Sequence, residues 1–399
     1  MGITEDNAQL LLLPAQAGAA DPRWASGSEA FVRSRRELDA LAPAYLRLLV
    51  DWAALQPRAD RPPNLSGPVS GCSRSVGPCA PYPGLKGELE AIASEQRARR
   101  RHGGIGPEVL VDVLGVPRWA AAPASGCEPQ GAPSVGGALA PAALPGYRAL
   151  IAGLVSLAAT EGVALRWWSP WNEPNNPVFL SPQRERCEAA SRPVSPAVYA
   201  QLARAMAAEL RADDPTASIV LGELDGLTAD STHAVSVQSF VAALPAEVAC
   251  LGSVWSVHAY AAYGPGAGTA EPVAALEDAL RGRGGCSADA PVWVTEAGAG
   301  APRPGAPVGV AAAQQLEGCR ALAAQLRRWF ADPRVGAVFQ YSFRDDPAFP
   351  VGLVSDDLRA LHPVYGLWLS LARSLEAGAA PDPSYGACRG VGLSPAARG

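Results

Sequence analysis

Trp167-Trp168-Ser169-Pro170-Trp171-Asn172-Glu173-Pro174-Asn175 is the stretch whose reading decides this fold. It follows Val163-Ala164-Leu165-Arg166, a short strand-like run, so Glu173 is expected at the end of a buried strand. Three tryptophans and two asparagines surround it. They supply polar neighbours for the charge and apolar ring faces for a ring-shaped ligand. Pro291-Val292-Trp293-Val294-Thr295-Glu296-Ala297-Gly298 repeats the design, a short apolar strand ending in glutamate. Two carboxylates on two strand ends call for a fold that brings those ends together.

The remaining segments alternate in the way such a fold requires. Gly2-Ile3 is the better candidate for a first strand, with Leu10 to Leu13 as the alternative. Further strands are expected at Tyr45 to Trp52, Val109 to Gly115, Ser218 to Gly222, Ser253 to Tyr260, Val292 to Thr295 and Val335 to Tyr341. Helical spacing marks residues 28–43, 85–101, Tyr147 to Leu157, Pro196 to Leu210, 233–247, 271–281, 309–330 and 362–375. With the strand before Glu173, this makes eight short apolar strands separated mostly by helices. Such alternation argues for parallel strands. A doubly wound sheet would show a Gly-x-Gly-x-x-Gly loop after its first strand, and none is present. A closed (β/α)8 TIM barrel accounts for the count and the length, and places every strand's C-terminal end on one face. The expectation is therefore a single α/β barrel over 1–399, with irregular insertions near 57–84 and 120–145 and a tail near 376–399.

Composition narrows the function. Of 399 residues, 48% are apolar, too many for a disordered chain. The net charge is −5 and no basic block occurs, so nucleic acid is not an expected partner. The apolar runs look too short for a membrane span. Eight dispersed cysteines with only four histidines and no close CxxC pair speak against zinc clusters and for disulfides in an oxidising compartment. Chain order suggests Cys72–Cys79, Cys127–Cys187, Cys250–Cys286 and Cys319–Cys388. Export is expected on this ground, with the leader removed, since Met1-Gly2-Ile3 opens almost directly into domain sequence. No metal or other cofactor is called for.

In a barrel, Trp52, Trp119, Glu173, His258, Tyr260 and Glu296 converge on the face that carries active sites. Acetal hydrolysis wants two carboxyl groups on opposite sides of the anomeric carbon, one holding a proton and one ionised. The fourth and seventh strands of eight are nearly opposite, so Glu173 and Glu296 can reach one substrate. Arg47 interrupts the second strand. A buried arginine needs carboxylate partners or a very polar pocket, and Arg47 with Tyr260 would favour ionised Glu296. Asn172 is placed to bind the sugar hydroxyl beside the anomeric carbon. Trp52, Trp119, Trp171 and Phe179 are expected to help line the cleft, with Asn175 as a further substrate contact. Glu223 or Asp345 is the rival choice for one partner of the pair. A serine hydrolase would need a Gly-x-Ser-x-Gly elbow, which is missing. His258 has no close histidine companion for a metal hydrolase. A catalytically silent carbohydrate-binding barrel is the remaining alternative.

These residues resemble the glycoside hydrolase clan A barrels, in the manner of families 39 and 5. Asn172-Glu173-Pro174 matches the clan's acid/base motif and Glu296 its nucleophile. Arg47 resembles the arginine that supports the nucleophile, and His258 and Tyr260 the polar pair on the sixth strand. The resemblance runs from the first strand through the final helix. It implies a retaining glycosidase acting on an oligosaccharide, polysaccharide or glycoside through a covalent glycosyl-enzyme. One departure stands out. Many clan members end the eighth strand in a tryptophan under the sugar, whereas this chain reads Gln340-Tyr341-Ser342-Phe343-Arg344-Asp345-Asp346. Phe343 is the expected substitute for that platform. Arg344 either reads an acidic sugar or pairs with a neighbouring aspartate.

Overall fold

A computed structural model describes residues 1–4, 29–67, 84–123, 127–128, 139–261, 271–299, 308–346, 349–355 and 359–388. In chain order the main elements are β1 (Gly2–Thr4), α1 (Glu29–Leu41), β2 (Tyr45–Asp51), α2 (Trp52–Leu55), α3 (Gly84–Arg101), β3 (Glu108–Leu114), α4 (Leu144–Glu161), β4 (Trp167–Ser169) and α5 (Ser195–Asp213). They continue with β5 (Ser218–Leu224), α6 (Val237–Ala243), α7 (Ala246–Ala249), β6 (Val254–His258), α8 (Pro272–Arg283), β7 (Val292–Ala297), α9 (Val308–Ala331), β8 (Val335–Tyr341) and α10 (Pro363–Glu376). The strands pair in parallel in sequence order, and β1 also pairs with β8, which closes the (β/α)8 barrel. The alternative first strand, Leu10 to Leu13, lies outside the described residues.

Period-2 alternation builds the barrel's two surfaces. Leu110, Val220, Val254, Trp293, Ala337 and Phe339 form a buried cluster of their own, joined by Tyr45 and Trp167. This cluster fills the lower interior, with Trp167 and Trp293 meeting edge-on at 4.7 Å between ring centroids. The intervening strand residues, among them Val109, Val111, Trp168, Leu221, Trp255 and Val294, belong to the larger core under the helices. Two positions further along most strands the interior turns polar: Thr4, Arg47, Asp112, Ser169, Ser256 and Thr295 are all buried.

Three elements depart from the sequence reading. The fourth strand is Trp167–Ser169 itself; Val163 to Arg166 only leads into it, because the ladder to β3 begins at Leu110 opposite Trp167. The expected helix over 233–247 is two short ones. Ser236 caps α6 by accepting from the Ser239 N–H, and Pro245 at the start of α7 cannot continue the first. Third, among the described residues one helical stretch, Pro141–Glu161, is long and apolar enough to cross a membrane by length and composition. It is a helix of the barrel wall, with Tyr147, Leu150, Ile151 and Leu154 fully buried against the core. Gly162 ends it in a left-handed conformation, φ 72°, where its N–H reaches the Ala158 and Ala159 carbonyls.

Three of the expected disulfides are present: Cys127–Cys187 between the loops after β3 and β4, Cys250–Cys286 on the face preceding β6 and β7, and Cys319–Cys388 from α9 to the tail. Cys72 and Cys79 lie outside the described residues.

Candidate active site

Local backbone irregularity delivers the key carboxylates. On β5, strict alternation would aim position 222 inward and position 223 outward. The register instead shifts between Leu221 and Leu224, with Gly222 at φ 105° and Glu223 at φ 50°. A Cβ on Gly222 would lie 2.3 Å from the Ser256 carbonyl oxygen, so only glycine permits this close approach. The Ser256 hydroxyl accepts from the Glu223 N–H at 2.7 Å, and the Glu223 side chain turns into the barrel. Register shifts also occur at Val257/His258 and between Val294 and Ala297, around the ends that carry His258 and Glu296. Glu173 sits on the turn after β4 at φ 40°, fixed by its N–H donating to the Glu223 carbonyl at 2.8 Å. A left-handed glutamate is locally strained, and the surrounding hydrogen bonds must hold it there.

Arg47 is the hub. Its fully buried guanidinium donates to Glu296 Oε1 at 2.7 Å, Asp112 Oδ2 at 2.7 Å, Asn172 Oδ1 at 2.8 Å and Glu223 Oε2 at 3.0 Å. Burial alone would weaken its charge, but Glu223, Glu296 and Asp112 together hold its proton more firmly than usual. Asp112 is pushed well above the ordinary carboxylate range by burial and by the charges of Glu223 and Glu296, although Arg47 opposes this. Burial also penalises Glu223, yet Arg47 and His258 prevail and bring it down to about 2.

His258 stands between three carboxylates. Its Nδ1 lies 2.8 Å from Glu173 Oε1 and 3.4 Å from Glu296 Oε2, and its Nε2 lies 3.1 Å from Glu223 Oε2. Burial disfavours the imidazolium, but these carboxylates outweigh it and raise His258 well above its usual value. Tyr260 donates its hydroxyl to Glu296 Oε2. Burial and the Glu296 charge keep that phenol protonated. Asn176 donates to Glu173 Oε2 at 2.9 Å. One donor atom each from Glu173, His258 and Glu296 lies within 4.8 Å of the others. That spacing would also suit a cation, but Arg47, Tyr260 and the histidine already direct protons at these oxygens.

The structure therefore brings together Glu173, Glu296, Asn172, Arg47, His258 and Tyr260. It corrects several expected substrate contacts. Trp52, Trp171 and Phe343 have no exposed surface and pack in the core, so they cannot offer a ring face to a sugar. Trp52 donates to Gln56, and Trp171 to the Phe179 carbonyl. Asn175 is also fully buried; it clamps the backbone of Asp225 and Val235. Trp119 and Phe179 are half-buried at the C-terminal face. Arg344 is 5% exposed on the loop after β8, and Asp345 there is bonded to His362 and the Gly352 N–H. The aromatic wall beside Glu296 is instead Tyr260, Tyr341 and Phe349. Phe349 meets Tyr260 edge-on at 5.0 Å and is 42% exposed.

Sequence reasoning missed Asp112, Asn176 and Asp225 as members of this network, and had Glu223 only as a rival catalytic partner. Glu223 has no exposed surface, and its Oε2 is spent on Arg47 and His258. The usable signal was acidic and amide side chains at or just beyond strand ends, since each of these lies at the top of β3 or β5 or in the turn after β4.

Solved structures share this architecture. A calcium-binding mutant of Bacteroides uniformis beta-glucuronidase 2 matches with a TM-score of 0.51 at 14% identity, over 93% of this chain and 34% of that one. A family 39 glycoside hydrolase from the gut symbiont Bacteroides cellulosilyticus WH2 matches with 0.51 at 15%, over 94% and 63%. The Ignisphaera aggregans GH53 catalytic domain matches with 0.50 at 16%, over 93% and 95%. The chain thus spans less than two thirds of the length of the first two. At these identities the likeness establishes the barrel fold. No family model and no curated relative matches the sequence.

Proposed function

We propose that this barrel is a retaining glycoside hydrolase, with Glu296 as nucleophile and Glu173 as acid/base. The observation that carries the reading is the meeting of the two carboxylates at one imidazole: His258 Nδ1 lies 2.8 Å from Glu173 Oε1 and 3.4 Å from Glu296 Oε2, and one oxygen of each acid lies within 4.8 Å of the other. A carboxyl pair that works by direct attack sits about 5–5.5 Å apart, while an inverting pair needs about 6.5–9.5 Å to admit a water. The surroundings divide the roles. Arg47 and Tyr260 fix both oxygens of Glu296 and balance its charge, as an ionised nucleophile requires. Glu173 has only histidine and asparagine neighbours on its carboxyl oxygens, without the guanidinium that Glu296 has.

Glu296 attacks the anomeric carbon as the bond to the leaving oxygen breaks, and Glu173 gives that oxygen its proton. Glu173 then takes a proton from water, whose oxygen attacks the same carbon and releases Glu296 from the ester. Two inversions give net retention. Arg47 occupies the Asn172 carbonyl oxygen, which orients the amide nitrogen for a sugar hydroxyl. Phe349, Trp119 and Phe179 supply the accessible aromatic surface for the rest of the ligand. The three disulfides support an extracytoplasmic setting.

A panel of aryl glycosides spanning pentoses, hexoses and uronic acids identifies the sugar, and NMR of the first product gives the stereochemistry. Retention is expected. Glu296→Ala should lose roughly 10⁴-fold or more of turnover, with azide restoring part of it as the inverted adduct. Initial release of the opposite anomer by the wild-type enzyme would reject the mechanism.

A further inference from the structure

Asp225, just beyond β5, is held more rigidly than its place on a loop requires. Asn175 grips its backbone from both sides, accepting from the Asp225 N–H at 2.8 Å and donating to the Asp225 carbonyl at 2.9 Å. The same amide donates to the Val235 carbonyl at 3.0 Å. The backbone is thus anchored without help from the Asp225 side chain. That side chain faces the acid/base turn, where Asn176 Nδ2 lies 2.9 Å from Asp225 Oδ2 and 2.9 Å from Glu173 Oε2. The Asn176 carbonyl oxygen accepts from the Val178 N–H at 3.0 Å, so the amide cannot flip without setting an oxygen against two carboxylates. One NH2 group therefore bridges two acids.

We propose that Asp225 is a positioning residue for Glu173, orienting the acid/base carboxyl through Asn176 and biasing its proton transfer by its own charge. This inference rests on the acid/base role proposed for Glu173. The charged groups facing Asp225 are Glu173 from the turn after β4, His258 from β6 and Glu296 from β7, and Asn176 is its direct hydrogen-bond donor. Burial and the Glu173 charge raise Asp225 to about 7, against His258 and Asn176, which favour its ionised form. Its charge therefore appears within the neutral range, one amide away from the group that gives and retrieves a proton in each turnover. A negative neighbour favours the protonated acid, and the coupling is reciprocal.

Two measurements test this. The first is carboxyl 13C NMR on Asp-labelled protein, with the Asp225 signal identified by its loss in Asp225→Asn. Its midpoint should fall by on the order of one pH unit in Glu173→Gln, because the like charge is gone. This readout needs no turnover. The second compares pH profiles of kcat/KM for aryl glycosides with poor and with activated leaving groups. Asp225→Asn keeps the side chain's shape and the backbone clamp. It should move the alkaline limb to lower pH for the poor leaving group and leave the activated one in place, with KM for both within about twofold. Asp225→Glu should restore part of the profile. An unchanged Asp225 midpoint in Glu173→Gln overturns the inference, as does a superimposable Asp225→Asn profile. If the wild-type protein cleaves no glycoside, the proposed function fails instead, and the NMR coupling still decides whether Asp225 and Glu173 act as a pair.

Discussion

The lower and upper halves of the barrel interior are made by the same eight strands and have opposite chemistry. Below, Tyr45, Trp167, Trp293 and Phe339 pack as rings with centroids 4.7–5.9 Å apart, and charge reaches them only at the bottom rim, where Glu108 accepts from the Trp167 indole and Arg166 lies over its ring. Above, a buried guanidinium and a buried imidazole face Asp112, Glu173, Glu223 and Glu296. The lower layer owes its stability to apolar burial and tolerates small errors of position. In the upper layer every charge is taken out of water, so it is stable only as a complete set. What separates the two layers is a single inward position along each strand.

Removing the hub should break that contrast most severely. Arg47→Leu leaves Glu223, Glu296 and Asp112 facing one another without their guanidinium. Breaking one partner of a buried ion pair typically costs about 3–5 kcal/mol, and here three carboxylates lose the same partner. Urea unfolding should show a loss at least in that range, together with near-complete loss of glycoside turnover. A stable variant would mean that the carboxylates simply take up protons. Its activity would then still be absent, because Glu296 Oε1 would have lost the guanidinium that holds it.

The lower layer and the barrel were legible in the sequence because they rest on alternation. The apolar runs, their number and the helices between them predicted β2, β3, β5, β6, β7 and β8 to within a few residues. The upper layer was legible only in part. Arg47 within β2, and Glu173, Glu296, His258 and Tyr260 at or beyond strand ends, were singled out by residue type, and the structure brings them together. Glu223 enters the interior through the Gly222 irregularity, which period-2 reading cannot anticipate. Trp52 and Trp171 misled for a complementary reason. A tryptophan near a strand end can face ligand or core with equal chemistry, and only packing decides; here each indole N–H is spent on the protein's own oxygens. Phe349 was missed because it reaches Tyr260 from a loop, where no periodicity applies.

A subtler test concerns Glu223. Its folded carboxyl lies near 2, below the ordinary value of about 4.5, because Arg47 and His258 overcome the burial that opposes ionisation. The unfolded chain therefore binds more protons than the folded one across this interval, and stability falls as pH drops through it. The contribution is complete above pH about 4.5 and is lost toward pH about 2. Glu223→Gln should flatten the acid limb of a stability–pH curve measured by chemical denaturation between those limits, while lowering stability at neutral pH. An acid limb as steep as the wild type's would assign acid unfolding to other carboxylates.

The smallest effect is expected in the lower layer, where Phe339→Leu sharpens the comparison by perturbing only one side of it. Phe339 has no exposed surface and meets Tyr45 at 5.6 Å and Trp293 at 5.9 Å between ring centroids. Leucine keeps the site apolar and removes part of the ring, so the cost is a modest void and lost ring contacts, about 1–2 kcal/mol. No hydrogen bond of the Arg47 network passes through this side chain. The denaturation midpoint should move while kcat and its pH profile stay within about twofold of the wild type. If turnover fell together with stability, the aromatic layer would be a mechanical support for the charged one, and the two halves of the barrel would have to be treated as one coupled unit.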